Sequence, residues 1–145
     1  MLKRLLHYLF LQVQRLPMDS NKMRPFLVRL GGVKIEHPNK VFIGENVTFD
    51  SLNPQLIIVE DYVLITANCS FLTHYINPHN RRCSYGSILI KRNAILGWGT
   101  IICKPVTIGE NSIVGSGSIV THDIPDNEVW AGNPAHFIRK IDPND

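Results

Sequence analysis

The sequence predicts an all-β fold, a single-stranded parallel β-helix preceded by an amphipathic helix, interrupted by one inserted loop and closed by a C-terminal capping helix. Three observations carry this reading. Aliphatic residues recur at every sixth position at Ile90, Leu96, Ile102, Ile108, Val114 and Val120. A helix repeats near 3.6 and a strand at 2, so a sustained period of six means short strands separated by equal turns. The fourth residue after most of these aliphatics is small or branched, at Ala94, Thr100, Val106, Ser112 and Ser118. Gly97, Gly109 and Gly115 follow inward aliphatics, where a tight bend makes a β-carbon costly.

The elements follow in chain order. From Met1 to Leu16, the residues Leu2, Leu5, Leu6, Leu9, Phe10, Val13 and Leu16 share one helical face, with Lys3, Arg4, Gln12 and Arg15 mostly on the other, and the helix stops before Pro17. It is too short and too charged to span a bilayer, and no small-residue cleavage site follows it. Its apolar face is expected to pack on the protein's own core or oligomer; contact with a membrane surface through Lys3, Arg4 and Arg15 is the alternative. A second short helix fits Pro25 to Leu30, with Pro25 in its first turn and Gly31-Gly32 ending it.

Hexapeptides begin at Val41 to Val47 and resume through Val59, Ile65 and Phe71 at an offset that is not a multiple of six, so Asp50 to Leu56 must bulge. From Phe71 to Ile90 the register slips again, and Thr73 to Ser87 contains His74, Tyr75, Asn77, Pro78, His79, Asn80, Arg81 and Arg82 with almost no aliphatic residue. A loop of this length on a rigid scaffold is the first candidate for an active site. The repeats end near Thr121, and Pro134 is expected to open a last helix that folds Phe137, Ile138 and Ile141 over the open end of the coil. The organisation is therefore residues 1–32 as a helical segment, 33–133 as the coil with its loop at 73–87, and 134–145 as a capping helix and tail.

With 145 residues the chain has the length of one domain. Its 44% apolar and 19% charged residues give a globular balance, and scattered Lys and Arg with a net charge of +3 argue against a nucleic-acid stripe. Cys69, Cys83 and Cys103 are odd in number, have no zinc spacing and read as reduced thiols of a cytoplasmic protein. A coil with three narrow sides has no room for a deep pocket, so a ligand site must form where a protruding loop meets another surface. A second copy of the chain supplies that surface most simply, in a cyclic homo-oligomer.

The run from Val106 to Thr121, Asp123-Ile124-Pro125, Ala131-Gly132-Asn133-Pro134-Ala135 and Leu72-Thr73-His74 together resemble the hexapeptide-repeat, left-handed β-helix acyltransferases, specifically the sugar O-acetyltransferases such as the maltose and galactoside enzymes. The resemblance covers about Val41 to Lys140. It implies left-handed coiling, a homotrimer with active sites between subunits, acetyl-coenzyme A as donor, no metal, and a sugar or saccharide hydroxyl as acceptor, with polysaccharide modification as the setting. It implies that His74 is the general base, its other ring nitrogen held by a carbonyl or carboxylate. Gly97, Trp98, Ser116 and Thr121 resemble the positions along the pantetheine arm, and Arg139 a basic residue near the nucleotide phosphates. His122 and His136 stand where relatives often carry Lys or Arg, and Trp98 stands in for a Trp that relatives often have at the position of Ile95. For the acceptor, Asp50, Asn53, Tyr75 and Asn77 offer hydrogen bonds to sugar hydroxyls, although turn chemistry explains Asn53-Pro54 and Asn77-Pro78 equally well.

Other readings stand beside this one. A three-His metal site of His37, His74 and His79, resembling the γ-class carbonic anhydrases, conflicts with their irregular places relative to the repeats. A non-catalytic β-helix scaffold and transfer to an amino-sugar nitrogen are further alternatives. An amino-acid acceptor fits less well, because that branch of the family usually carries a much longer helical N-terminal domain.

Overall fold

A computed structural model describes residues 2–13 and 20–142. Two helices, α1 (Leu2–Val13) and α2 (Ser20–Leu30), lead into a coil whose strands fall in three parallel sheets. The first turn is β1 (Lys34–Ile35), β2 (Phe42–Ile43) and β3 (Thr48–Phe49); the second is β4 (Ile57–Val59), β5 (Leu64–Ile65) and β6 (Ser70–Phe71). An antiparallel arm, β7 (His74–Ile76) and β8 (Cys83–Tyr85), leaves the coil there. The third turn is β9 (Ile88–Ile90), β10 (Ile95–Leu96) and β11 (Ile101–Ile102), the fourth β12 (Thr107–Ile108), β13 (Ile113–Val114) and β14 (Ile119–Val120). Strands β15 (Glu128–Gly132) and β16 (Ala135–Lys140) are the last regular elements among the described residues.

The period of six is visible as three columns of buried side chains. Ile35, Val59, Ile90 and Ile108 stack on the first face, Ile43, Ile65, Leu96 and Val114 on the second, and Phe49, Phe71, Ile102 and Val120 on the third. All are buried, each contributing about 1.5 to 3 kcal/mol. Ala94, Thr100, Val106, Ser112 and Ser118 are buried at the corners, as their fourth-place spacing predicts. The Thr100, Ser112 and Ser118 hydroxyls donate to the carbonyls of Gly97, Gly109 and Gly115, so these corner oxygens are satisfied inside the prism. Cys69 fills a corner in the same way, while Cys103 is half-buried and Cys83 exposed.

The third residue after an inward aliphatic turns the corner with positive φ, at Asn46, Asn68, Asn93, Asn111 and Asn127, and at Gly99 and Gly117. Asn tolerates this conformation better than most residues. Its amides also bridge successive turns, Asn46 to Asn68 at 2.7 Å, and Asn93 to Asn111 and Asn111 to Asn127 at 2.9 Å. Gly97 has a different constraint from the tight bend expected of it: a Cβ there would lie 2.5 Å from the Ser116 amide nitrogen of the next turn.

Three expectations require correction. The capping helix after Pro134 is absent; β16 pairs antiparallel with β15 and extends the second sheet. The last parallel strand would otherwise present a row of unpaired backbone groups, and that demand outweighs the helical spacing of Phe137, Ile138 and Ile141. Phe137 and Ile138 are exposed. The segment 73–87 is a hairpin rather than a loop, with His74 opposite Tyr85, Tyr75 opposite Ser84 and Ile76 opposite Cys83. Helix α1 docks on its own chain by the side opposite to its apolar row, which corrects the own-core half of that expectation alone: Leu11 is buried against Gly31 and His7 stands beside Gly32 and Pro54. Leu2, Leu5, Leu6 and Leu9 are exposed, Leu2 by 79%. Arg15, Leu16 and Pro17 lie outside the described residues.

Helix α2 begins earlier than its Pro25 suggests, at Ser20, and places Pro25 inside the helix. The preceding Arg24 is fully buried with its guanidinium 3.6 Å from Glu45, a long-range pairing that holds the first half of α2 against the coil. Gly32 at φ 101° ends it as the sequence predicts.

Close approach and left-handed turning are separable at one corner. Gly97→Ala is expected to cost about 3 kcal/mol through overpacking. Gly99→Ala is expected to cost about 1 kcal/mol, since φ is 70° and nothing lies within 4 Å of an added Cβ. Denaturant unfolding of the two variants measures the difference; equal losses would remove the close-approach explanation for Gly97.

Candidate active site

The two irregular segments of the coil meet. Phe49 and Phe71 pair in register, their rings stacked with centroids 5.0 Å apart, so Asp50 emerges one turn below Leu72 and beside Thr73 and His74. The Asp50 carboxylate is 5% exposed and receives four hydrogen bonds. Its Oδ2 accepts from the Thr73 amide at 2.9 Å, the Thr73 hydroxyl at 2.7 Å and His74 Nδ1 at 2.6 Å, and its Oδ1 accepts from the Leu52 amide at 3.0 Å.

Burial alone would raise the Asp50 pKa, but the Thr73 hydroxyl, the Leu52 amide, His74 and the Thr73 amide together outweigh it and hold the carboxyl below its ordinary value. An ionised carboxylate only accepts, so the proton in the Asp50–His74 bond belongs to Nδ1. In the neutral ring the lone pair is then on Nε2, and the side chain is 33% exposed. A fixed tautomer, a buried anion behind it and an open nitrogen in front are what a general base requires.

An open groove of about 530 Å³ adjoins this pair, lined by Arg4, Ser51, Leu52, Asn53 and Tyr85. Tyr85 stands across the arm from His74 with ring centroids 6.3 Å apart. Hydrogen bonding to Cys83 first, then its charge, burial and the charge of Asp50 raise the Tyr85 pKa, so its hydroxyl stays a neutral donor. A larger groove of about 810 Å³ lies elsewhere, with His37 and Asp61 in its lining. There Asp61 takes both His37 and Lys40 at 2.9 Å.

The sequence-predicted residues separate into distinct groups. Asp50, expected to hold an acceptor hydroxyl, is filled instead by Thr73, His74 and Leu52. Asn53 lines the groove, with its side-chain oxygen accepting from Gln55 at 3.3 Å. Tyr75 is half-buried opposite Ser84 and, by strand alternation, on the face of the arm away from His74. Asn77 is at the arm's tip, its side-chain oxygen accepting from the His79 amide, which is turn chemistry.

Gly97, Trp98 and Ser116 share the edge between the second and third faces, Trp98 being 59% exposed. Thr121 and His122 lie on the other edge of the third face, the one from which His74 emerges, two turns further along; the Thr121 hydroxyl is 2.9 Å from His122 Nδ1. Arg139 is on β16, opposite Val129, and donates to the Lys140 carbonyl at 3.1 Å. His37 pairs with Asp61 and His79 is at the arm's tip, so the three-His arrangement does not assemble, and no group of metal-binding side chains occurs among the described residues.

Thr73, Tyr85 and Arg4 are the participants that sequence reasoning missed. Thr73 had a signal, its place between the last inward Phe and His74. Tyr85 had none without the hairpin register, nor Arg4 without the docking side of α1.

The chain is 34% identical over 126 residues to the galactoside O-acetyltransferase of Lactococcus lactis subsp. lactis (strain IL1403), across 83% of this chain and 60% of that protein. A provisionally named acetyltransferase of Staphylococcus aureus (strain MRSA252) is 36% identical over 151 residues, across 87% of this chain and 73% of its own length. A solved galactoside acetyltransferase in complex with coenzyme A superposes with a TM-score of 0.69 at 25% identity, covering 98% of this chain and 82% of that one. No protein-family model matches. The chain spans 55% to 60% of the length of the first curated relatives it matches.

The Asp50 contacts also set an acid limit. Because its folded pKa lies below the unfolded value of about 3.9, the stability it contributes is complete above that unfolded value and is lost as pH falls through the folded pKa. Asp50→Asn is expected to cost about 1 to 3 kcal/mol at neutral pH and to flatten the acid limb of the stability curve. Urea unfolding from neutral pH to below pH 4 checks both; an unchanged acid limb would remove Asp50 as its source.

Proposed function

The chain belongs to the hexapeptide-repeat acetyltransferases, the family of the galactoside O-acetyltransferases, and we propose that it transfers an acetyl group from acetyl-coenzyme A to a hydroxyl of a sugar or saccharide acceptor. The 2.6 Å contact between Asp50 and His74 beside an open groove is the observation that carries this reading. In the proposed step, His74 Nε2 takes the acceptor's hydroxyl proton as that oxygen attacks the thioester carbonyl. The new C–O bond forms, the C–S bond breaks, and the imidazolium returns the proton to the departing sulfur. Asp50 stabilises the imidazolium and keeps the ring aligned.

The donor is placed along the edges of the coil, with Gly97, Trp98 and Ser116 as one wall of the pantetheine channel, Thr121 and His122 as another, and Arg139 toward the phosphates. In one chain these residues lie on two edges and a terminal hairpin, which favours a channel closed by two neighbouring chains of a left-handed, homotrimeric assembly. The exposed row of Leu2, Leu5, Leu6 and Leu9 and the exposed Trp98 are surfaces such neighbours would cover. We place the reaction in the cytoplasm, where the thiols of Cys69, Cys83 and Cys103 stay reduced. No helix among the described residues is long and apolar enough to cross a membrane.

His74→Ala is expected to lower the turnover number by about 10² to 10⁴ while leaving the KM for acetyl-coenzyme A nearly unchanged. Thiol release with a saccharide acceptor reads this, and wild-type turnover in the variant would remove His74 from the mechanism. Sedimentation equilibrium is expected to report three chains per particle; a fully active monomer would remove the interface from the proposal.

A further inference from the structure

The groove beside His74 contains a cation from a helix that the repeats do not include. Helix α1 docks through Leu11 and His7, and a Cβ at Gly32 would lie 3.0 Å from both His7 Nδ1 and Pro54 Cγ. Arg4 is one turn before His7 and on the same side of the helix, and it lines the groove with Ser51, Leu52, Asn53 and Tyr85. No carboxylate lines that groove. Asp50 stands behind it, buried and with both oxygens engaged by Thr73, His74 and Leu52. Among the described residues, no carboxylate pairs with Arg4.

We propose that Arg4 makes this groove selective for a saccharide acceptor that carries an anionic group, a carboxylate or a phosphate. The proposal rests on the acetyltransferase reading above and names the acceptor class for the same site. The rest of the lining suits the neutral part of such a molecule: Ser51, Asn53 and the Tyr85 hydroxyl offer polar contacts to sugar hydroxyls, and Leu52 an apolar one. A guanidinium fork matches the paired oxygens of a carboxylate or phosphate, whereas a neutral sugar leaves its charge unmatched. The Asp50 carboxylate near the groove is buried and its two oxygens accept four hydrogen bonds from Thr73, His74 and Leu52, so it is not a direct partner for Arg4. Arg4 acts here as a specificity-determining residue, with His74 left to carry the chemistry.

The test compares three galactose derivatives that differ only at the anomeric substituent: a methyl glycoside, a carboxymethyl glycoside and the 1-phosphate. Acetyl transfer by the full chain is expected to favour at least one anionic derivative over the methyl glycoside by about five- to tenfold in kcat/KM, and the preferred one identifies carboxylate or phosphate. The preference should shrink as salt is raised. Arg4→Gln should bring the ratio to about one, and Arg4→Lys should retain a preference of the same sign. An Arg4→Gln ratio equal to wild type, or no anionic preference in the wild type, overturns the assignment and leaves acetyl transfer itself standing. Calorimetric binding of the same three compounds reads the same ratio independently of turnover. Arg4-dependent binding without transfer to any of them would keep Arg4 as the anion-recognising residue and overturn the proposed reaction.

Discussion

Every turn of this coil lies about 4.8 Å above the one before it, the spacing at which parallel backbones hydrogen-bond. That spacing leaves no room for a β-carbon at Gly97 and stacks Leu96, Ile102 and Ile108 inward in register, while the corners at Asn93, Asn111 and Asn127 turn with positive φ. A prism built this way has a filled interior. Ligands must then be met outside it, at edges or at segments that leave the coil.

Two segments leave it in consecutive turns, and both do so from the same edge. The bulge begins at Asp50 after Phe49, and the arm begins with His74 shortly after Phe71. Because the two Phe rings stack in the core with centroids 5.0 Å apart, Asp50 comes within reach of His74. Repeat packing thus sets the geometry of the pair, although neither Asp50 nor His74 is a repeat residue. Thr73 completes the connection by donating both its amide and its hydroxyl to the same carboxylate oxygen.

The periodic part of the fold was legible in the sequence because each inward residue from Ile90 to Val120 faces the same environment as the residue eighteen places away. The corner asparagines could have been read from the same spacing, Asn93 and Asn111 being one full turn apart. Segments whose structure depends on a distant partner were less legible. Ala135 to Lys140 looks helical locally and becomes a strand because β15 needs a neighbour. The arm was recognised as irregular, but its register, and with it Tyr85, depends on pairing across its own tip. Asp50 and His74 both stand out in the sequence, but their contact does not, because the distance between them depends on the offset that the bulge introduces. On its own chain α1 docks against its hydrophobic count: Leu11 fills the space over Gly31, while Leu2, Leu5, Leu6 and Leu9 stay exposed.

In the proposed site, that docking would link assembly to acceptor recognition. On α1, Arg4, His7 and Leu11 fall on the side facing the bulge, and Leu2, Leu5, Leu6 and Leu9 on the opposite side. A single buried leucine is a weak anchor for a helix of this length, since isolated short helices are marginal in water. A neighbouring chain that covers the apolar row would hold the helix in place and so fix Arg4 over the groove. In that arrangement the subunit interface would do more than close the donor channel. It would also set how firmly the acceptor's charged group is held, so a change confined to the leucine row would reach acceptor selectivity through the helix without touching His74 or Asp50.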